Sequence, residues 1–314
     1  MLPVLIVGFL RKNHLEKLIQ VATSQGVPSI YVSLDGPRNE EDNLRQNEII
    51  KMIDNLRREL PIRIDARRLT KNVGAGAAVI SAVDWFFQQE TQGIVLEDDL
   101  LPNPSFFNGA TKFLERGDID SKILMFSGTN FFEIDGTEIV LLRYPVVWGW
   151  AATQENWATI RALIFSPIKD LSFSKLRLNY FYWRVGKRRA LRGITHVWDV
   201  PLAGAMYSQG YYCALSPTNL VTNSGHDSFA SNTKENVWPL NQATKPSHAN
   251  WDEMIITSES KEKLEQFMRE KVFKISLKYI LSSFFWNFFD FVRWRSQNVV
   301  NLEEVVSTIE WKYV

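Results

Sequence analysis

The sequence predicts an α/β fold, a mostly parallel sheet sandwiched by helices, with an aromatic-rich helical extension at the C-terminal end. Three observations predict it. Short, continuous apolar runs, as strands buried on both faces require, alternate with stretches whose apolar residues recur at helical spacing. The chain has 314 residues, 45% of them hydrophobic, enough to bury a large core. Polar groups also recur just after the apolar runs, on the rim where such sheets gather ligands.

The elements follow in order. Leu2–Phe9 reads as a buried strand; Met1–Leu10 carries no basic leading segment and no small-residue cleavage site, which argues against a signal peptide. Residues 13–25 set Leu15, Leu18, Ile19 and Ala22 at helical spacing. Ser29–Leu34 is a second strand, closed by the turn signal Asp35-Gly36-Pro37. Residues 39–60 form a charged helix with Ile49, Ile50, Ile53 and Leu56 in register. Ile62–Leu69 reads as a strand, Ala75–Gln89 as a helix and Gly93–Leu96 as a fourth strand. The second half is less regular: strands at Leu124–Ser127 and Ile139–Arg143, helices at Glu155–Ile164 and Asp199–Ser208, and a long polar loop over 223–250. Residues 1–250 are expected to form the main domain, in two halves (1–105 and 106–250), and 251–314 the extension.

Composition narrows the function. A formal net charge of +1 argues against a general nucleic-acid binder. The single cysteine, Cys213, excludes an intrachain disulfide and a multi-cysteine zinc site, and its strand-like setting predicts a buried thiol. A cytoplasmic protein is the default expectation. Eleven Trp and twenty Phe suit a core, and Trp faces also suit sugar rings.

The apolar strand Ile94-Val95-Leu96 delivers Glu97-Asp98-Asp99 into its C-terminal turn. Adjacent carboxylates repel, and a hard divalent cation such as Mg²⁺ or Mn²⁺ offsets that cost. A solvated acidic turn is the plain alternative. Asp35 and Asn72 follow other strands and are expected on the same rim.

Here a family resemblance enters. Strand, Glu-Asp-Asp, Pro102 and Phe106-Phe107 resemble the "DXD" segment of GT-A glycosyltransferases, especially the N-acetylglucosaminyltransferase I type. Phe9-Leu10-Arg11, Ser33-Leu34-Asp35-Gly36, Lys71-Asn72-Val73-Gly74-Ala75-Gly76, Val147-Trp148-Gly149-Trp150-Ala151 and Trp198-Asp199 resemble further segments of that family, in its order, over roughly residues 1–230. The long basic stretch between Trp150 and Trp198 departs from the pattern, and the C-terminal third matches nothing in it.

The resemblance implies an inverting transfer of sugar from a nucleotide-sugar donor, UDP-linked, to a glycan or lipid-linked acceptor, with 1–250 the catalytic domain, 1–105 its nucleotide-binding half and 106–250 its acceptor half; the expected lack of a signal and anchor suits bacterial surface-polysaccharide synthesis. It implies Asp99 as the direct ligand of Mn²⁺ or Mg²⁺, with Glu97 and Asp98 placing ribose and metal-bound water, and Asp199 as the base. Arg11 reads either as a phosphate or nucleobase contact or as a solvated helix-start arginine. Asp35 is a nucleobase acceptor or a turn former. Lys71 and Asn72 precede a helix whose amides suit a diphosphate, or simply form a turn. Asp199 is base or N-cap. His226, in the polar loop, is a metal contact or incidental. Trp148 and Trp150 stack on sugar or fill core.

Two segments suggest a surface. Lys175, Arg177, Arg184, Lys187, Arg188, Arg189 and Arg192 make 175–193 basic. Residues 274–295 are dense in aromatics, and their charge-free stretch Tyr279–Phe289 is too short to span a bilayer. That segment reads as an interfacial helix, giving peripheral contact at the inner face of a membrane, or as a helix packed on protein. The rival functions are a sugar-nucleotide pyrophosphorylase, against which the absence of a Gly-rich Thr-Arg loop counts, and a non-catalytic carbohydrate-binding protein.

Overall fold

The computed structural model describes residues 1–131, 138–166, 177–193, 195, 197–224, 244, 251, 255–256, 262–273, 275, 282, 285 and 301–314, with the side chains of 177–181 left aside. Its first half is a run of strand–helix repeats: β1 (Val4–Gly8), α1 (Lys12–Ser24), β2 (Ser29–Leu34), α2 (Glu40–Glu59), β3 (Arg63–Leu69), α3 (Ala75–Phe87) and β4 (Gln92–Glu97). These match the elements expected from periodicity. Local chemistry explains their ends. Asn39 caps α2 by accepting from the Asp42 N–H at 2.9 Å, Glu40 and Glu41 sit in its first turn, and Arg57 and Arg58 in its last.

The second half adds β5 (Leu100–Pro102), α4 (Pro104–Leu114), β6 (Ile123–Ser127), β7 (Glu138–Leu142), β8 (Trp150–Thr153), α5 (Gln154–Phe165), α6 (Arg177–Leu191), α7 (Asp199–Gln209), β9 (Tyr212–Leu215) and β10 (Val221–Asn223). Beyond it lie β11 (Ile255–Ile256), α8 (Glu262–Phe267) with a π-turn at Met268–Val272, α9 (Leu302–Ser307) and β12 (Trp311–Tyr313).

A 10-stranded sheet runs in the order β11-β7-β9-β6-β8-β4-β1-β2-β3-β12. Strands β1, β2, β3, β4, β6 and β9 point one way; β7, β8, β11 and β12 run against them. This is a Rossmann-like α/β fold with a mostly parallel sheet flanked by helices. Side chains alternate across it as strand geometry requires. Val4 and Ile6 of β1 join α1, α2 and α4 on one face, while Leu5 and Val7 join α3, α5 and α7 on the other.

Two features differ from the expected outline. The C-terminal part is not purely helical: β12 pairs antiparallel with β3, Trp311 opposite Leu69, and so closes the sheet edge. Three exposed residues carry no apolar period that would mark a strand. The basic stretch, undivided in the sequence, contains α6. The segment 274–295 lies almost wholly outside the described residues, and among the described residues no helix is long and apolar enough to cross a membrane.

Candidate active site

The crossovers through α1 and α2 carry the chain from β1 to β2 to β3. The next, through α3, returns it to the far side of β1 as β4. A crevice therefore opens beyond the carboxyl ends of β1 and β4, the position at which open α/β sheets bind ligands. Glu97, Asp98 and Asp99 end β4 there, and Arg11 follows β1.

The three carboxylates do not share one fate. Asp98 is buried, and both its oxygens are engaged: the Phe9 N–H donates to Oδ2 at 2.9 Å and Arg11 Nη1 to Oδ1 at 2.8 Å. The Arg11 and Asp98 side chains are 12% and 7% exposed, so the pair is shielded from water and staples the β1 exit to β4. A Cβ on Gly8 would lie 3.3 Å from Asp98 Oδ2, which is why the strand leaves so little room there.

Glu97 and Asp99 keep part of their surface open. Both are nonetheless pushed above the ordinary carboxylate range: Glu97 first by burial, then by Asp99, Asp98 and Asp199; Asp99 first by burial, then by Asp98. Arg11 opposes the rise at both. Asp99 is also held from downstream. The Ser224 N–H and Oγ donate to its backbone carbonyl at 2.7 and 2.9 Å, and the nearby Asn223 side chain opposes the rise of its carboxyl. Strand β10 brings these residues in by pairing antiparallel with β5, Asn223 opposite Leu100. The polar character of Asn223 and Ser224 was the only sequence signal for them, and it read as loop.

Asp199 starts α7, where the neighbouring backbone N–H groups of Asp199 and Val200 pull its carboxyl down. Burial raises it despite those donors. It is close enough to Glu97 to be among the charges that push Glu97 up, so the fold joins two carboxylates a third of the chain apart. Trp198, just before it, packs in the core against Trp150 and Trp157, with ring centroids 6.0 and 6.4 Å away. Trp150 is 1% exposed. Of its two readings, core filler is the one this burial allows, since a ring so enclosed offers no face to a sugar. Trp148 is half-buried, against Phe131, and its carbonyl accepts from Thr129 Oγ1 at 2.6 Å.

On the opposite rim, Asp35 is buried and receives four donors: the N–H groups of Gly36, Val73 and Gly74 at 2.8, 3.0 and 3.1 Å, and the Asn72 amide at 2.8 Å. Those fill the acceptor capacity of a carboxylate. Burial still raises it, against the pull of the three backbone donors. A Cβ on Gly36 would lie 2.1 Å from the Lys71 carbonyl carbon, so only glycine lets the two turns meet. Gln46 donates to the Asp35 carbonyl at 2.7 Å and to that of Phe9 at 3.3 Å, fastening the β1 and β2 exits together. Lys71 is exposed at this turn. Asn72 leads into α3, whose first turn follows Gly74 at φ +83° with no side-chain cap.

The structure thus brings together Arg11, Glu97, Asp98, Asp99 and Asp199 on one side of β1, with Asp35 and Asn72 on the other side, at the same carboxyl edge of the sheet. His226 lies outside the described residues. Cys213 is a buried free thiol, raised to about 12 by burial. Among the described residues, no group of three or more His, Cys, Asp or Glu side chains is arranged to hold a metal ion.

No protein-family model matches the chain. No curated protein matches it either. Among solved structures, it is similar to HddC from Yersinia pseudotuberculosis complexed with GMP-PN, at 16% identity over 49% of this chain and 78% of that one, with a TM-score of 0.31. A likeness of that size carries no argument about the site.

Proposed function

We propose that the chain is an inverting glycosyltransferase of the GT-A type, taking a UDP-linked sugar donor and a glycan or lipid-linked acceptor. The observation that carries this reading is the convergence of Glu97, Asp99 and Asp199, all with raised carboxyl groups, beyond the ends of β1 and β4. Clusters of shifted carboxylates in a crevice are costly to a fold, and such clusters concentrate at functional sites. The strand order around β1, with antiparallel β8 between β4 and β6, supports the same reading.

The cation of this reading is Mn²⁺ or Mg²⁺. Glu97 and Asp99 offer hard oxygen donors, and Mg²⁺ sites commonly combine one or two carboxylates with substrate phosphates and water. A site lacking three protein ligands is therefore no obstacle. Bound there, the cation would neutralise charge on a departing diphosphate. Arg11, fixed by Asp98, adds a permanent positive charge beside it. Asp199, with its basicity raised by burial, takes the acceptor hydroxyl proton. The amides that open α3 face a diphosphate.

Calorimetric titration with UDP and with GDP, each in Mn²⁺ and in EDTA, tests the reading. Metal-dependent binding of UDP is the expected result. Absence of binding by either nucleotide would overturn it and move the assignment to a carbohydrate-binding module.

A further inference from the structure

We infer that β12 is a strap whose docking steadies one rim of the crevice: by shutting Arg67 into an aromatic bracket, it ties the exit of β2 to α3. The inference stands apart from the proposed reaction and needs neither its metal nor its donor.

Its starting point is a buried cation. Arg67, in β3, is 1% exposed. Burying a guanidinium is costly unless its charge is answered. Among the described residues no carboxylate bonds it. Nε donates to Ser33 Oγ at 3.0 Å and Nη2 to Ser81 Oγ at 2.8 Å, both neutral acceptors. Aromatic rings supply the rest. The guanidinium carbon stands 4.9 Å from the Trp85 ring centroid and 5.4 Å from that of Trp311. Such contacts strengthen when they are shielded from water. One side chain of β3 thus joins three other elements: β2 through Ser33, α3 through Ser81 and Trp85, and β12 through Trp311.

Register places Trp311 there. In the β12–β3 pair Tyr313 lies opposite Arg67 and Trp311 opposite Leu69, so both rings share a face of the sheet with Arg67. Trp311 lies 6.2 Å from Trp85 and meets Tyr313 edge-on at 4.9 Å between centroids. Lys312, between them, belongs to the other face. The strand is three exposed residues long and stands at the edge of the sheet, and elements of that kind open locally before the core does. Opening it takes one aromatic wall from Arg67 and admits water to the guanidinium, which loosens its grip on Ser33 and Ser81. Ser33 is two residues from Asp35, whose carboxylate gathers the N–H groups of Val73 and Gly74 at the entry to α3. The strap therefore bears on α3 and the Asp35 turn, and not on α4, which packs on the other face of the sheet.

The test is amide hydrogen exchange, read by mass spectrometry, in wild type, Trp311→Ala, Trp311→Leu and Lys312→Ala. Trp311→Leu keeps apolar bulk, should the alanine variant not fold, and removes the aromatic face. Lys312→Ala alters the same strand on the opposite face and serves as the control. The expected result is a fall of about tenfold or more in protection across residues 72–86 in the Trp311 variants, with α4 and the whole of Lys312→Ala as in wild type. Wild-type protection across 72–86 in Trp311→Leu would overturn the inference. So would an equal loss in Lys312→Ala, which would assign the effect to strand pairing, or an equal loss in α4 of Trp311→Leu, which would make it a general loss of stability.

Discussion

The two rims of the crevice handle buried carboxylates in opposite ways. At the ends of β2 and β3, Asp35 is met by four donors and its negative charge is spent within the chain. At the end of β4, Glu97 feels the charges of Asp99, Asp98 and Asp199, and the cation beside them, Arg11, is bound to Asp98. Burial raises carboxyl groups on both rims, so burial alone does not separate structure from function. The supply of donors does. A satisfied carboxylate is a fastener, whereas the acidic cluster is the one we propose takes a ligand that brings positive charge.

Substitution on the acidic rim should break this contrast most visibly. Asp99→Asn keeps the shape of the side chain and removes its charge. Metal-dependent turnover should fall on the order of a thousandfold, roughly 4 kcal/mol of barrier. The melting temperature should hold or rise, because a repelling charge has been removed. Steady-state kinetics against Mn²⁺ concentration, beside a melt, reads both. A variant that melts lower while still turning over would show that Asp99 is a fastener too.

Asp35→Ala should do the reverse. It strands the N–H groups of Gly36, Val73 and Gly74 and the Asn72 amide in a buried turn. Leaving a buried donor unpaired costs about 1–3 kcal/mol. The turn can relax some of its donors toward water, so a total of about 3 kcal/mol in chemical denaturation is expected. Mn²⁺ affinity at the other rim should change little. Full stability in Asp35→Ala would mean that Asp35 holds nothing and is free to read a ligand.

The contrast also marks where the sequence was readable. The β1–β4 half was legible because each strand and helix carries its own apolar period, a local signal. Strands β8, β10 and β12 span three or four residues, too few for any period, and their pairing is decided by distant partners. The site divides the same way. Glu97-Asp98-Asp99 was legible as a charge cluster after an apolar strand. That Asp98 turns to Arg11 while the Asp99 carbonyl is gripped by Ser224 was not, since both partners come from far along the chain. Trp150 was ambiguous for a related reason: tryptophan suits core and sugar alike, and only packing against Trp157 and Trp198 decides.

The smallest effect sharpens the comparison most finely. Glu97 and Asp99 have folded-state pKa values above those of the unfolded chain. In the window between the two, the folded protein holds more protons than the unfolded one, so stability falls as pH rises. The contribution is whole below the ordinary carboxylate range and is lost as pH climbs through the raised values. Partial exposure of both groups tempers it, and about 1 kcal/mol is expected across the window. Asp35 is raised as well, so the slope in plain buffer belongs to both rims. Mn²⁺ separates them. If the acidic rim takes the cation, denaturation midpoints measured with Mn²⁺ should flatten the part of the slope due to Glu97 and Asp99 and leave the part due to Asp35. A slope identical with and without Mn²⁺ would leave the acidic rim without its ligand.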